Sequence, residues 1–349
     1  MTRNPDLEDR SDSRVLPTQN LVPSLMGKWL VTGQERVAQM LRGAIERNRV
    51  AHAYLLIGHS GCGKTATARN FAQALNCERA APPCQECRSC LRIAHGEDFD
   101  VREIDVGEKH QQIHIDQVRE IERRVSLKAT SSKFKITIIP RAELFSREAA
   151  DALLKILEEP PPRTIMILGA RTIESVPETL ASRCIQIRMT VPARKAIAEL
   201  LPQDGPVAES DRNLILDYAE GRPRWAVEMA ADPELLEDFK QRLIAFKERL
   251  AGDATSRLGV AAEIGNQRKA ALEELELLAG YHGVVARARA AESGGGPEVE
   301  RRFYEKWAAN LNTIRAGINA LSANTMVAST LDDLFLDLDE IHGAGPAAP

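Results

Sequence analysis

The residues Gly58-His59-Ser60-Gly61-Cys62-Gly63-Lys64-Thr65 satisfy the pattern G-x-x-x-x-G-K-[ST] in full. The pattern has a direct physical use. Its glycines let successive backbone N–H groups turn inward around phosphate oxygens, and a helix starting behind them aims its positive end at the same place. Lys64 would lie against the β- and γ-phosphates of a nucleotide, and the Thr65 hydroxyl would ligate Mg²⁺. Hydrolysis asks for more: an acidic residue at the end of a second strand for the metal, often with a glutamate beside it that activates water. The expected place follows Ile138-Ile139, where the chain carries Pro140-Arg141-Ala142-Glu143. Neither proline nor arginine holds magnesium or takes a proton from water. Glu143 falls where the chain has left the strand and reads as a weak substitute. These residues predict a site that binds ATP with Mg²⁺ and hydrolyses it poorly.

A second constellation is Cys77-x₆-Cys84-x₂-Cys87-x₂-Cys90. Zinc takes four soft ligands in a tetrahedron, and C-x₂-C spacing lets neighbouring thiolates meet one ion. Four protein ligands close the coordination shell, so the zinc would be structural, pinning a surface excursion with little core of its own. Cys62 and Cys184 have no partner at metal spacing and read as small packing residues, and His95 reads as a loop histidine.

Around these residues the hydrophobic pattern supplies the elements that must hold them. Ala53–Ile57 reads as a buried strand stopped by Gly58, with a helix over 65–75 behind the glycine-rich turn. An amphipathic helix precedes it at 34–47, with Val37, Met40, Leu41 and Ile45 on one stripe. Further buried strands are predicted at 135–139, 164–168 and 184–187. Between the first two of these lies a helix over 146–158, capped by Ser146 and stopped by Pro160-Pro161-Pro162. Strand, helix, strand in this rhythm predicts a parallel sheet with helices on both faces. Beyond Pro192 the strand signals fade and helices take over, broken at Glu292-Ser293-Gly294-Gly295-Gly296-Pro297.

The whole chain sets bounds. Its 349 residues suggest two or three domains, and 44% apolar with 28% charged residues is the profile of a soluble globular protein. Aromatics at 4% argue against a surface of base-stacking rings, and a net charge of −4 against a broadly basic coat. The first residues lack the apolar core of a secretory signal, and no apolar stretch approaches the roughly 20 residues of a membrane span. The expectation is a cytoplasmic protein without membrane contact, whose six cysteines are ligands or buried thiols rather than disulfides. The run from Arg123 to Lys135 (Arg123, Arg124, Lys128, Lys133, Lys135) has no acidic residue and could touch DNA phosphates, although such runs are commonly solvated faces.

Taken together, these residues resemble the clamp-loader branch of AAA+ ATPases, the bacterial DNA polymerase III gamma/tau and delta-prime subunits, over about residues 25–340. Val31-Thr32-Gly33-Gln34 looks like the branch's V-x-G-Q segment, and the cysteines sit where the branch carries its zinc module. Ala152-Leu153-Leu154-Lys155-Ile156-Leu157-Glu158-Glu159-Pro160 resembles the A-L-L-K-x-L-E-E-P helix, and Ser182-Arg183-Cys184 matches the S-R-C motif. The resemblance implies that Arg183 reaches a neighbouring subunit's ATP as an arginine finger, and that Arg224, in Gly221-Arg222-Pro223-Arg224, touches this chain's own nucleotide. It implies a tail (1–20), an AAA+ nucleotide-binding domain (21–190) with an inserted zinc module (77–90), a helical lid (191–232), an all-α collar (233–340) and a loose end (341–349). Loss of the acidic pair beside a retained S-R-C motif resembles the delta-prime pattern. Its implied role is a scaffold in a hetero-pentameric ring with gamma/tau and delta subunits, which loads the sliding clamp onto primed DNA. An active gamma/tau-type motor and an AAA+ switch outside replication are the alternatives.

Overall fold

A computed structural model of the chain describes residues 15–16, 29–106, 112–127, 132–202, 207–251, 264, 267–292, 297–322 and 325–337. The chain divides into two compact units: residues 1–196 with 221–224, and residues 197–220 with 225–349.

The first unit is an α/β domain. Five parallel strands form its sheet in the order β4 (Val101–Glu103), β5 (Lys135–Ile139), β6 (Thr164–Ala170), β3 (Ala53–Ile57) and β7 (Ile185–Arg188). The pleat alternates side chains between two cores. Tyr54, Leu56, Ile136, Ile138, Ile165 and Ile167 enter one of them. There they meet Val37 and Leu41 of α1 (Glu35–Glu46) and Ala68, Phe71 and Leu75 of α2 (Lys64–Asn76). Leu55, Ile57, Ile139, Met166 and Leu168 enter the other, against Val118 and Ile121 of α4 (Ile115–Ser126) and Leu153 and Leu157 of α5 (Arg147–Glu158). Burial on both faces is why these strands read as unbroken apolar runs. Ser146 caps α5, its hydroxyl accepting from the Ala149 N–H at 3.2 Å.

The predicted strands at 53–57 and 135–139 match in extent, and the later two shift by one or two residues. Three elements carry weaker signals. β4 is a three-residue edge strand with Arg102 and Glu103 on it. The helix α3 (Arg88–His95) begins inside the cysteine insert and runs past it, and α4 presents only a narrow apolar stripe. Within the expected N-terminal tail, Val15–Leu16 (β1) pairs antiparallel with Val50–Ala51 (β2). The remainder of that tail and the loose end at 341–349 lie outside the described residues.

The second unit is helical. Its helices include α8 (Glu209–Tyr218), α10 (Pro233–Ala251), α11 (Arg268–Glu292), α12 (Pro297–Ser322) and α13 (Val327–Asp337). Pro233 and Pro297 each stand at a first helical position, where the missing N–H costs no hydrogen bond. Ile197, Leu201, Ile215, Ala226 and Met229 form one core, and Phe246, Leu275, Leu278, Ile314 and Leu331 belong to a larger one. Between α11 and α12, buried His282 places Nδ1 at 3.0 Å from the Leu278 carbonyl, and the Trp307 indole donates to the His282 carbonyl at 3.0 Å. No helix among the described residues is long and apolar enough to cross a membrane.

Candidate functional site

The loop Gly58–Thr65 leaves the C-terminal end of β3, the strand held between β6 and β7. Gly61 and Gly63 have φ of +79° and +99°, the left-handed region where a Cβ is strained. An added Cβ at Gly63 would meet nothing within 4 Å, so the backbone conformation alone asks for glycine there. Gly63 is the N-cap of α2 and supplies no side-chain cap, so the helix presents its first N–H groups toward the loop. Lys64 folds its ammonium over that loop, donating to the carbonyls of Gly58 (2.6 Å) and His59 (2.9 Å). Burial lowers the Lys64 pKa, opposed by Cys62 and Glu143. Cys62 is buried, whereas Ser60 and Thr65 are half-buried.

Gln34 fixes the loop from behind. Its amide donates to the Cys62 carbonyl (3.0 Å) and the Thr190 carbonyl (2.6 Å), and its oxygen accepts from the Thr190 N–H (3.1 Å). The V-x-G-Q segment is thus a clasp between the loop and the chain leaving β7. Arg222 packs on the loop's front: a Cβ placed on Gly61 would come within 2.4 Å of its Cγ. Desolvation first, then the charges of Arg222, Lys64 and Arg171, hold the His59 pKa down to about 4. Arg224, the arginine chosen from the sequence, is exposed, and Arg222 is the one against the loop. Two arginines one residue apart gave no local signal for choosing between them.

Pro140 and Arg141 follow β5. The Pro140 carbonyl presses on β6, where a Cβ on Gly169 would meet its oxygen at 2.4 Å. Arg141 turns to Asp105, with Nε at 2.9 and 3.2 Å from the two carboxylate oxygens and Nη2 at 2.9 Å. Glu143 does leave the strand, but the 3₁₀ turn Ala142–Leu144 carries it back toward the loop. Its side chain is 10% exposed, and Oε1 lies 3.9 Å from Arg171 Nε. Burial raises its pKa, and its own backbone N–H, then the charges of Arg171, Lys64 and Arg141, pull it down. Among the described residues Oε2 is buried with no hydrogen-bond partner.

Arg183 stands between α6 (Glu178–Ala181) and β7. Its guanidinium donates to the Thr179 carbonyl at 2.9 Å and pairs with Glu158 Oε1 at 2.5 Å. The S-R-C and L-E-E-P motifs therefore meet through one ion pair, with a third of the Arg183 side chain open to solvent. Cys184 is buried, and desolvation pushes its thiol up to about 12.

Cys77, Cys84, Cys87 and Cys90 are all buried, and their sulfurs lie within 4.8 Å of one another. Zn–S bonds of about 2.3 Å place the sulfurs of a tetrahedron roughly 3.8 Å apart. Cys84 Sγ and Cys90 Sγ are 3.9 Å apart, so the donor set fits zinc. Backbone N–H groups also donate to the sulfurs here, from Arg79 to Cys77, from Glu86 and Cys87 to Cys84, and from Cys90 to Cys87. Burial works against ionisation of Cys84, yet the Glu86 and Cys87 N–H groups bring it to about 7. All six cysteines are free thiols.

Three residues of the basic run have partners within the domain. Lys133 donates to the Cys77 carbonyl at 2.7 Å, and Lys135 donates to the carbonyls of Arg124 and Leu127. Arg123 pairs with Glu120 at 2.6 Å. Lys128 lies outside the described residues.

Residues 33–193 match the family described as DNA polymerase III, delta subunit. The chain is 39% identical over 156 residues to the tau subunit of DNA polymerase III from Bacillus subtilis, covering 44% of this chain and 27% of that one. It is 31% identical over 206 residues to the gamma subunit from Buchnera aphidicola, covering 57% and 56%. The matched segment thus spans little more than half, or less, of these relatives' own length. A solved gamma-subunit-related protein from Thermotoga maritima aligns with a TM-score of 0.45 and 16% identity over 88% of this chain and 97% of that one. Residues 33–193, which span the strands from β3 to β7 and the loop at the end of β3, are thus similar in sequence to subunits of DNA polymerase III.

Proposed function

We propose that the chain is a delta-prime-type subunit, a scaffold of the clamp-loader ring rather than one of its motors. The observation that carries this reading is the end of β5. Pro140 and Arg141 stand where the acidic pair would hold magnesium and activate water, and Arg141 is tied to Asp105. Gly58–Thr65 would still hold the phosphates of ATP, with Thr65 toward Mg²⁺ and Arg222 or Arg224 completing the cradle. Turnover would be slow because Pro140 and Arg141, at the end of β5, cannot take the proton of an attacking water. Arg183 would act on a neighbouring gamma/tau subunit's ATP, stabilising charge on the transferred phosphoryl group. Residues 191–232 would serve as lid and 233–340 as the collar that joins gamma/tau and delta in a five-membered ring. That ring would load the sliding clamp onto primed DNA in the cytoplasm. Zinc held by the four cysteines would be structural.

The complete phosphate loop and the similarity to gamma and tau subunits favour a second reading, an active gamma/tau-type motor. Turnover separates the two. The purified chain with Mg²⁺-ATP is expected to show no hydrolysis above background while retaining nucleotide binding that Lys64→Ala abolishes. Appreciable ATPase that disappears in Lys64→Ala would establish the motor instead.

A further inference from the structure

We propose that Glu143 is a built-in counter-anion of the phosphate loop: its carboxylate occupies the field of the site's cations until a nucleotide's phosphates replace it. This rests on the reading of Gly58–Thr65 as a nucleotide site.

A buried carboxylate is unfavourable unless charges or hydrogen bonds compensate it. Glu143 has compensation of an unusual kind. Oε1 is 3.9 Å from Arg171 Nε, beyond hydrogen-bond reach, and Oε2 is buried without a partner. Its own backbone N–H offsets part of the burial, and the three cations Arg171, Lys64 and Arg141 act on the carboxylate by field rather than by direct hydrogen bonds. Meanwhile Lys64 spends its own hydrogen bonds on the loop carbonyls of Gly58 and His59. A phosphate chain could offer Lys64 and Arg171 the direct, charge-assisted bonds that the Glu143 carboxylate does not make to them.

The surroundings argue against the other use of such a residue, as a ligand for Mg²⁺. A magnesium ligand set is rich in oxygen and negative charge. Glu143 instead sits in the field of Arg171, Lys64 and Arg141. That field attracts an anion and repels a divalent cation. Glu143 and the nucleotide thus compete for one set of positive charges, and a competing anion weakens binding reciprocally.

The two uses predict opposite signs. Titrate the full chain with a fluorescent ATP analogue, in Mg²⁺ and separately in EDTA, for wild type, Glu143→Gln and Lys64→Ala. A counter-anion predicts that Glu143→Gln binds about tenfold tighter in both conditions, a modest coupling for two sites sharing charges. Unchanged affinity would overturn the proposal. Weaker binding confined to the Mg²⁺ titration would overturn it in favour of a metal ligand. If Glu143→Gln failed to fold, Glu143→Leu carries the same expectation, since it trades a buried charge for apolar volume. Wild-type binding lost in Lys64→Ala but indifferent to Glu143 would sink this inference and leave the nucleotide reading standing. No binding by wild type or the Glu143 variants would sink both.

Discussion

Arg183 stands in an ion pair that the fold hardly depends on. Its pair with Glu158 is half-solvated, with 33% and 51% of the two side chains exposed. Such pairs contribute roughly 0–1 kcal/mol to stability. Arg183→Ala is therefore expected to leave the melting temperature of the isolated chain nearly unchanged by calorimetry. In a ring reconstituted with gamma/tau and delta, the same variant is expected to cut clamp-dependent ATP turnover by about 10³, the scale of a lost arginine finger. Turnover within a few-fold of wild type would reject the finger. Arg141 illustrates the opposite case: the proline–arginine substitution was readable in the sequence, but its anchoring by Asp105 was not.

At the scale of elements, the cysteine insert is the part most dependent on something other than packing. Its core cluster consists of Cys77, Cys84, Cys87 and Cys90 themselves, with few apolar side chains to share the load. Bound zinc would therefore supply much of its stability, since ligands that meet only in the fold turn metal affinity into folding free energy. Cys84→Ser is expected to bring the zinc-to-protein ratio from near one to near zero and to lower the melting temperature. Carefully reduced wild type with no zinc would refute this. The helices α11 and α12 hold a different dependence, on protons. Burial lowers the pKa of His282, whose ring reaches the Leu278 carbonyl and faces Asn310. In the unfolded chain a histidine titrates near about 6.5. Below that pH the unfolded state takes up a proton that folded His282 refuses, so its contribution to stability is lost as pH falls from there toward the folded pKa. One such proton sets a slope of at most about 1.4 kcal/mol per pH unit. Denaturant titrations of His282→Gln should show a shallower fall in stability over this range than wild type. Identical slopes would remove His282 as the cause.

For the whole molecule, the two units divide the labour: an α/β unit carries every candidate site residue, and a helical unit packs around its own cores. The sheet was legible because strands buried on both faces are continuous apolar runs, and the phosphate loop because its chemistry is confined to eight neighbouring residues. The cysteine cluster was legible for the same reason, as a matter of spacing. The short edge strand β4 and the helix α4 were not, since too few apolar residues define them. What the amino-acid sequence determined by itself was thus local: which segments are buried, where glycine bends the chain, and which acids are missing after β5. Tertiary structure decided the meetings. Gln34 clasps Thr190 across 156 residues, Arg183 finds Glu158, Arg222 covers Gly61, and Glu143 returns to face Lys64. Those partners are chosen by the strand order, which gathers the segments after β3, β5 and β7 at the C-terminal ends of the strands and brings Arg183 and Glu158, which precede β7 and β6, together at the N-terminal ends. No local pattern encodes which charge will stand opposite another there.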